Sequence, residues 1–400
     1  MLRSLPPAGS PILANELSRA FQSIFSSRFT RAELEIQFSQ FFDGRNAFLF
    51  STGRGAMTFA LRCLNSYQPD RKRNTVIVPS YTCYSVAASI LAAGLNVLVC
   101  DIDKKTLSFD EEQLESIDYT SVLAIVSANL YGLPNNLEHL EKIASREGIY
   151  LLDDAAQSLG ATISRRKAGT FGHLGLFSLD KGKTITSMNG GILITDNKDL
   201  ASILKREYLK LPELSRTECT KNYAKLLVYF LFLRPNLYWI PQSIPLLGLG
   251  STVYDEEIDV ALYQSGIATI ARNQLNRLDL INKSRQIIAR NYQSSIVNTS
   301  LIKTFDLLPT SKPVYLRYPI RILDSKLRES FLHKSRDLGT SRSYPKSIAS
   351  LPQLRDRISI HNNYCESGIA VADQIVTLPT HSYVLQSDVE RLAVLIAAVN

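Results

Sequence analysis

Two adjacent carboxylates, Asp153 and Asp154, end a short apolar run in the middle of the chain. The run, residues 149–152, is typical of a buried strand. Open α/β sheets bind their ligands at the carboxyl ends of the strands. We therefore expect an acid of this pair to lie at a ligand site, although both residues could instead cap a helix that follows.

A second apolar run, residues 174–179, is expected to bring a serine and two lysines to the same edge of the sheet. Ser178 lies in this run, Lys181 and Lys183 follow it, and Gly190-Gly191 lead into the next strand. A lysine amine can form a Schiff base with an aldehyde cofactor, and pyridoxal phosphate also needs an acid against its ring nitrogen. The spacing alone also fits solvated loop lysines, because short motifs match by chance.

The residues around these groups resemble a known family. The segments DDAAQSLGA and GHLGLFSLDKGK, followed by the glycine pair, are similar to the signature of the DegT/StrS-type aminotransferases. That family uses pyridoxal phosphate, has fold type I and acts mainly on nucleotide-linked keto sugars. The residues here that match its signature are Asp154, Gln157, Ser178 and Lys183, with the lysine five residues after the serine.

The resemblance implies a role for each of these side chains. Lys183 would hold the cofactor and would move a proton between donor and cofactor, first as a base and then as an acid. Asp154 would pair with the ring nitrogen, Gln157 would hold the ring's oxygen or its face, and Ser178 would bind the phosphate. Lys181 competes with Lys183 as the anchor, but the count from Ser178 favours Lys183.

A glycine-containing turn between a predicted strand and a predicted helix is a further candidate for the phosphate. Residues 47–50 are predicted as the strand, and Gly53, Arg54 and Gly55 follow it. Free backbone N–H groups at a helix N-terminus suit a phosphate, but a plain tight turn has the same pattern. In the resembled family this segment holds the cofactor phosphate. Arg54 departs from the family's usual small residue and is expected to add a direct charge contact.

Two more positions come from the resemblance alone. Cys83, between Tyr81 and Tyr84, occupies the position where relatives often carry an aromatic residue that stacks on the pyridine face. Either the sulfur or a neighbouring tyrosine would cover the ring, and a core cysteine between packing tyrosines is the alternative. Asn129 replaces a histidine of the family, and it either contacts cofactor or substrate or caps a turn.

The composition predicts a globular enzyme without a nucleic-acid partner or a metal. Of 400 residues, 45% are hydrophobic and 20% are charged, and the formal net charge is +8 with basic residues spread along the chain. No basic block with interleaved aromatic residues is present, which argues against nucleic acid. Five scattered histidines and five cysteines without paired spacing favour a reduced, cytoplasmic protein with no metal site. No secretory signal is apparent.

Alternating strands and helices predict an α/β fold with a mostly parallel central sheet flanked by helices. The resemblance makes this fold type I of the pyridoxal-phosphate-dependent transferases, with a smaller C-terminal α+β domain. We expect a large cofactor-binding domain with an N-terminal arm over residues 1–250 and a small domain over residues 251–400. A long amphipathic helix is predicted from Asp259 to about Ser294.

An apolar insertion near residues 208–250 interrupts the resemblance. Its unbroken apolar run, residues 226–233, is too short to span a membrane. We expect a buried insertion or a dimer contact, and a weak contact with a membrane surface through Trp239 is the alternative. The family's partner-subunit motif is replaced here by GSTVYDEEID, so that contact cannot be transferred to this chain.

The resemblance therefore predicts a pyridoxal-phosphate-dependent aminotransferase of polysaccharide or glycoconjugate biosynthesis. It would move an amino group from an amino acid, expected to be glutamate, to a keto sugar linked to a nucleotide, and it would work as a homodimer. Some relatives instead dehydrate a keto sugar with a histidine in place of the lysine, and Lys183 argues against that reaction. The alternative from another class is a catalytically silent cofactor-binding sensor or a membrane-associated scaffold of the same fold.

Overall fold

Helices pack on both faces of a central sheet in this computed structural model, which describes residues 3–25, 30–244 and 254–399. The strands are β1 (Asn46–Phe50), β2 (Thr75–Pro79), β3 (Asn96–Cys100), β4 (Val122–Ala128), β5 (Tyr150–Asp154), β6 (Thr162–Ile163), β7 (Arg166–Lys167), β8 (Leu174–Ser178), β9 (Gly191–Thr195), β10 (Ile302–Thr304), β11 (Ser311–Lys312), β12 (Arg317–Ile322), β13 (Ile358–Ile360) and β14 (Ile375–Pro379). The α-helices are α1 (Ala14–Phe25), α2 (Arg31–Phe41), α3 (Gly53–Tyr67), α4 (Tyr84–Ala92), α5 (Glu111–Glu115), α6 (Leu137–Glu147), α7 (Lys198–Tyr208), α8 (Arg216–Phe232), α9 (Pro235–Gln242), α10 (Ala268–Asn276), α11 (Leu278–Ser295), α12 (Ser325–Lys334), α13 (Glu366–Gln374) and α14 (Gln386–Ala397).

The central sheet has the strand order β1-β9-β8-β5-β4-β2-β3-β13 over the described residues. The run from β8 to β13 is parallel, whereas β9 is antiparallel to both β1 and β8. Helices α4, α5 and α6 lie in the connections from β2 to β3, from β3 to β4 and from β4 to β5, whereas the short strands β6 and β7 lie between β5 and β8. The predicted α/β fold with a mostly parallel sheet is confirmed.

Side chains along each central strand alternate between two apolar cores. In β2, Val76 and Val78 pack into one core and Ile77 into the other, and in β5 Leu152 and Leu151 divide in the same way. Alternation with a period of two follows from strand geometry. Because both faces are covered by helices, both sets of positions are apolar, and the last residues of each strand are left to form a polar edge.

The C-terminal part of the chain builds a second sheet and also joins the first. Strands β10, β12 and β14 form an antiparallel sheet that is packed by α12, α13 and other helices. Strand β13 instead pairs with β3 at the edge of the central sheet. Residues beyond 250 therefore contribute to both sheets, and the division into domains at residue 250 stays a prediction.

The long helix predicted from Asp259 to about Ser294 is wrong at its beginning. The chain is extended to about residue 264, and two helices follow, α10 and α11, which are separated at Arg277. The amide of Tyr263 donates to the carbonyl of Leu49 in β1 at 3.2 Å. This pairing with a sheet edge outweighs the helical pattern of the sequence, as tertiary contacts often outweigh propensity.

The insertion folds as α8 and α9, and the prediction that it is buried holds only in part. Leu226 is fully buried, whereas Leu227, Val228 and Leu231 are between 38% and 54% exposed, as is Trp239 with 38%. Residues 245–250 of the predicted segment lie outside the described residues. Among the described residues, no helix is both long and apolar enough to cross a membrane.

The N-terminal arm, residues 3–13, inserts between α9 and the C-terminal region. Leu5 is fully buried, and its amide donates to the carbonyl of Asp337 at 2.8 Å. The carbonyl of Pro6 accepts a hydrogen bond from His381 Nε2 at 2.8 Å. The arm is therefore part of the packed interior.

Arg285 of α11 connects this arm to the C-terminal sheet. Its Nη2 donates to Gly9 O and Ser10 Oγ, at 2.8 and 3.1 Å, and its Nη1 donates to Leu316 O and Thr380 Oγ1, at 3.0 and 3.2 Å. The side chain is fully buried, and it forms no ion pair with any described carboxylate. Burial lowers the pKa of its guanidinium to about 10.

We expect Arg285→Ala to destabilise the fold by about 2–4 kcal/mol, because four buried acceptors lose their donor and a cavity replaces a large side chain. The measurement is urea unfolding followed by circular dichroism. Arg290→Ala is the matched control, since Arg290 lies on the same helix but is exposed. A loss of stability that is equal in the two variants would contradict the role assigned to Arg285.

Candidate active site

The groups predicted from the sequence line one cavity at the carboxyl end of the central sheet. Its volume is about 730 Å³. The predicted residues that line it are Gly53, Arg54, Cys83, Asn129, Asp154, Gln157, Ser178, Lys181 and Lys183. Gly55 does not line it. The sheet thus gathers residues that lie up to 130 positions apart, because parallel strands end at one edge.

The two neighbouring carboxylates at the end of β5 serve different purposes. Asp153 is fully buried, and its carboxylate accepts hydrogen bonds from Asn129 Nδ2 at 2.7 Å and from the amides of Gly169 and Phe171. Burial raises the pKa of this carboxyl from 3.8 to about 7, and the hydrogen bonds oppose the rise. Asp153 therefore fixes the loop after β7 and does not face the cavity.

Asp154 is the acid that reaches the cavity. It is half-buried and lines the cavity wall, and one carboxylate oxygen accepts a hydrogen bond from the amide of Ala156 at 3.0 Å. Burial raises the pKa of Asp154, whereas this hydrogen bond and the charge of Lys183 lower it. An acid and an amine thus act on each other across the same space, as the resemblance implied.

Lys183 and Lys181 differ in burial. Lys183 is half-buried, and its charge lowers the pKa of Asp180 as well as that of Asp154, although burial raises both. Lys181 is exposed at the edge of the cavity. The backbone of Lys183 is fixed, since its carbonyl accepts a hydrogen bond from Ser10 Oγ of the arm at 3.0 Å. The two acids nearby and the fixed backbone favour Lys183 as the reactive amine.

Gly53 and Ser178 form a cradle that fits a small anion. A Cβ atom placed on Gly53 would lie 3.2 Å from both Cβ and Oγ of Ser178, so glycine lets the backbone of this turn approach the serine hydroxyl closely. The hydroxyl of Thr82 is buried, and its residue lines the same cavity, yet it has no hydrogen-bond partner among the described residues. An unpaired buried hydroxyl indicates that a polar ligand group belongs there. A cofactor with a phosphate fits this arrangement.

Two members of the glycine turn have other contacts. The amide of Gly55 donates to Thr52 Oγ1 at 2.9 Å, which caps α3, so this amide is already used inside the protein. Arg54 lines the cavity and forms an ion pair with Asp255 at 3.1 Å. Phosphate contacts of Arg54 and Gly55 therefore stay predictions, and the structure favours Gly53 of this segment.

Gln157 hydrogen-bonds two tyrosines, of which Tyr344 lines the cavity and Tyr131 does not. Its Oε1 accepts from the amide of Tyr131 at 2.8 Å, and its Nε2 donates to the hydroxyl of Tyr344 at 2.8 Å. The hydroxyls of Tyr81 and Tyr131 lie 2.9 Å apart, and both side chains are buried. Cys83, half-buried, lines the cavity, whereas its neighbours Tyr81 and Tyr84 do not.

Some lining residues were missed by reasoning from the sequence. Asp180, Arg317 and Tyr344 line the cavity but were not predicted to do so from the sequence, and Arg317 is the first residue of β12. Asn129 was recognised, and its amide hydrogen-bonds both Asp153 and the carbonyl of Asp154. The residues from the C-terminal half carry no motif, so only the fold shows that they reach the cavity.

Comparison with known proteins identifies a family. The model of the DegT/DnrJ/EryC1/StrS aminotransferase family matches residues 14–230 and 263–397. A GDP-4-keto-6-deoxy-D-mannose 3-dehydratase of Yersinia pseudotuberculosis is 34% identical over 207 residues, which is 50% of this chain and 53% of the relative. The chain thus spans about half the length of the curated relatives that it matches first.

Solved structures share the whole fold. Helicobacter pylori PseC, described as an aminotransferase of pseudoaminic acid biosynthesis, has a TM-score of 0.79 at 17% identity over 99% of both chains. The E. coli GDP-4-keto-6-deoxy-D-mannose-3-dehydratase with bound hydrated PLP has a TM-score of 0.78 at 20% identity, over 99% of this chain and 100% of that one. At these identities the likeness confirms the predicted fold type I.

We expect the stability of the protein to fall as the pH rises through about 7, because of Asp153. Its folded pKa lies above its unfolded value, so the folded state keeps a proton that the unfolded state has lost between about pH 4 and 7. The measurement is the melting temperature, determined by thermal unfolding at a series of pH values from 5 to 8. Asp153→Asn is expected to weaken the dependence, whereas Asp306→Asn, at an exposed position, should leave it unchanged. An unchanged slope in Asp153→Asn would show that another group titrates.

Proposed function

The chain belongs to the DegT/DnrJ/EryC1/StrS aminotransferase family, and on this basis we propose that it is a pyridoxal-phosphate-dependent aminotransferase of keto sugars. The observation that carries the proposal is the meeting of Lys183 and Asp154 in one cavity beside the cradle of Gly53 and Ser178. This cofactor requires an amine for its aldehyde, an acid for its ring nitrogen and hydrogen-bond donors for its phosphate.

Pyridoxal phosphate, when bound, supplies an aldehyde that takes up the amino group and a ring that accepts electrons from a breaking C–H bond. The remaining chemistry belongs to this chain. Lys183 Nζ would carry the cofactor at rest and would move the proton from the donor's Cα once it is free. Asp154 would keep a proton at the ring nitrogen, since its half-buried carboxylate favours a cation beside it.

Other residues would position the reacting groups. Ser178 Oγ and the open face of Gly53 would hold the phosphate, and Thr82 Oγ1 would gain a partner there. Gln157 already hydrogen-bonds the amide of Tyr131 and the hydroxyl of Tyr344, so it would act by holding these two tyrosines in place. This assignment differs from direct contact with the ring, which the resemblance implied for this glutamine.

The acceptor is proposed to be a keto sugar linked to a nucleotide, with glutamate as the amino donor. Support comes from the family and from relatives whose names include such sugars. A cavity of about 730 Å³ is in the range that holds small-molecule ligands. The homodimer, the cytoplasmic location, the role in polysaccharide biosynthesis and the weak membrane contact stay predictions from the sequence.

We expect borohydride reduction of the cofactor-loaded protein to leave a pyridoxyl group on Lys183, because that amine is half-buried beside two acids. Peptide mass spectrometry locates the label. Lys181→Arg should keep the label, and Lys183→Arg should lose it while its melting temperature stays close to that of the wild type. Label on Lys181 in the wild type would overturn the assignment.

Turnover with ¹⁵N-glutamate and a nucleotide-linked 4-keto-6-deoxyhexose should give one ¹⁵N-labelled amino sugar for each 2-oxoglutarate formed. Lys183→Ala should lower this rate by at least about 10³-fold, because it removes both the anchor and the proton carrier. Mass spectrometry also reports the alternative reaction. A product that has lost an oxygen and gained no nitrogen would mean a dehydratase. No product from any donor would favour the silent sensor.

A further inference from the structure

Arg317 is a cation that lines the cavity but has no role in the chemistry proposed for the cofactor. It is the first residue of β12, it is half-buried, and it lines the cavity together with Lys183 and Asp154. Its guanidinium forms no hydrogen bond and no ion pair with any other residue in the described part of the chain. Half-buried guanidinium groups are normally paired, since lost hydration must be replaced.

The surroundings of Arg317 contain phenols and a second cation. Its charge acts on Tyr131, Tyr344 and Tyr238 and lowers the pKa of each, although burial raises all three more strongly. It also contributes, after burial, to the lowered pKa of Arg285. None of these neighbours carries a negative charge at neutral pH, so none of them neutralises this guanidinium.

The backbone beside Arg317 is held rigidly. The carbonyl of Leu316 accepts hydrogen bonds from Arg285 Nη1 at 3.0 Å and from Thr380 Oγ1 at 3.0 Å. On the other side, Arg317 is paired with Pro379 in the antiparallel ladder of β12 and β14. A fixed backbone loses little entropy when the side chain binds a ligand, so the position is preorganised.

The other cations of the cavity are engaged or exposed. Arg54 forms an ion pair with Asp255, and Lys181 is exposed at the cavity edge. Lys183 lies beside Asp154 and Asp180 and is needed as the reactive amine.

We propose that Arg317 binds an oxyanion of the substrate, through paired hydrogen bonds from its guanidinium to carboxylate or phosphate oxygens. This geometry suits both groups, because the planar fork of arginine matches two oxygens at once. The inference rests on the proposed function for its substrates: the oxyanion is either the carboxylate of the amino donor or a phosphate of the nucleotide-linked acceptor. Arg317 is thus a binding residue that selects for charge.

Equilibrium titration with two unreactive probes tests this proposal. 2-Oxoglutarate presents carboxylates without an amine to transfer, and GDP presents a diphosphate without a keto sugar. Both are titrated by calorimetry into the full-length protein loaded with pyridoxal phosphate. We expect Arg317→Gln to weaken one probe by about tenfold to a hundredfold, and Arg317→Lys to weaken it less, since the charge stays while the fork is lost.

Arg290→Gln is the matched control, because it makes the same change of charge at an exposed position that does not line the cavity. Weakening of 2-oxoglutarate alone assigns the donor carboxylate, and weakening of GDP alone assigns the acceptor phosphate. Equal affinities in wild type and Arg317→Gln, or no binding of either probe to the wild type, overturn the inference. Binding needs no turnover, so a failure of the proposed reaction is seen separately, in the ¹⁵N experiment.

Discussion

The alternation of side chains at the end of β5 is the constraint on which the site depends. Consecutive residues of a strand point to opposite sides, so Asp153 and Asp154 cannot serve the same purpose. Asp153 points inward, where hydrogen bonds from Asn129 and from backbone amides offset part of its desolvation. These hydrogen bonds hold Asn129 in place, and its Nδ2 also donates a hydrogen bond to the carbonyl of Asp154. Asp153, which does not line the cavity, therefore helps to position Asp154, which does, through their shared contact with Asn129.

A second constraint joins the backbone of Lys183, the lysine proposed as the reactive amine, to the backbone beside Arg317. Ser10 in the N-terminal arm contacts the carbonyl of Lys183, and Arg285 contacts both Ser10 and the carbonyl of Leu316. Leu316 precedes Arg317, so a short chain of hydrogen bonds runs from the backbone carbonyl of Lys183 to the backbone beside Arg317. Arg285 is fully buried, and the acceptors of its four hydrogen bonds are neutral. Loss of one acceptor would therefore leave a donor of a buried charged group without a partner. The arm thus couples two parts of the site that come from distant sequence.

The features that could be predicted from the sequence are the residues at or near the ends of strands. Asp154 and Lys183 follow short apolar runs and Ser178 lies within one, and these runs form β5 and β8. The extended segment before α10 could not be predicted, because its partner is a sheet edge more than 200 residues away. That Arg317 and Tyr344 line the cavity could not be predicted either. Their positions depend on how the C-terminal sheet packs, and the local spacing of residues in the sequence does not indicate that packing.

This division has a consequence for specificity. The central sheet supplies the groups that would handle the cofactor, whereas Arg317 and Tyr344, from the C-terminal half, face the space that a substrate must occupy. Selectivity between substrates arises where a site rejects the wrong charge or leaves a polar group unpaired. An unpaired guanidinium in that space favours anionic substrates and penalises neutral ones, whichever oxyanion it takes. Substitutions there should therefore change which substrate binds before they change how the proton moves at Lys183.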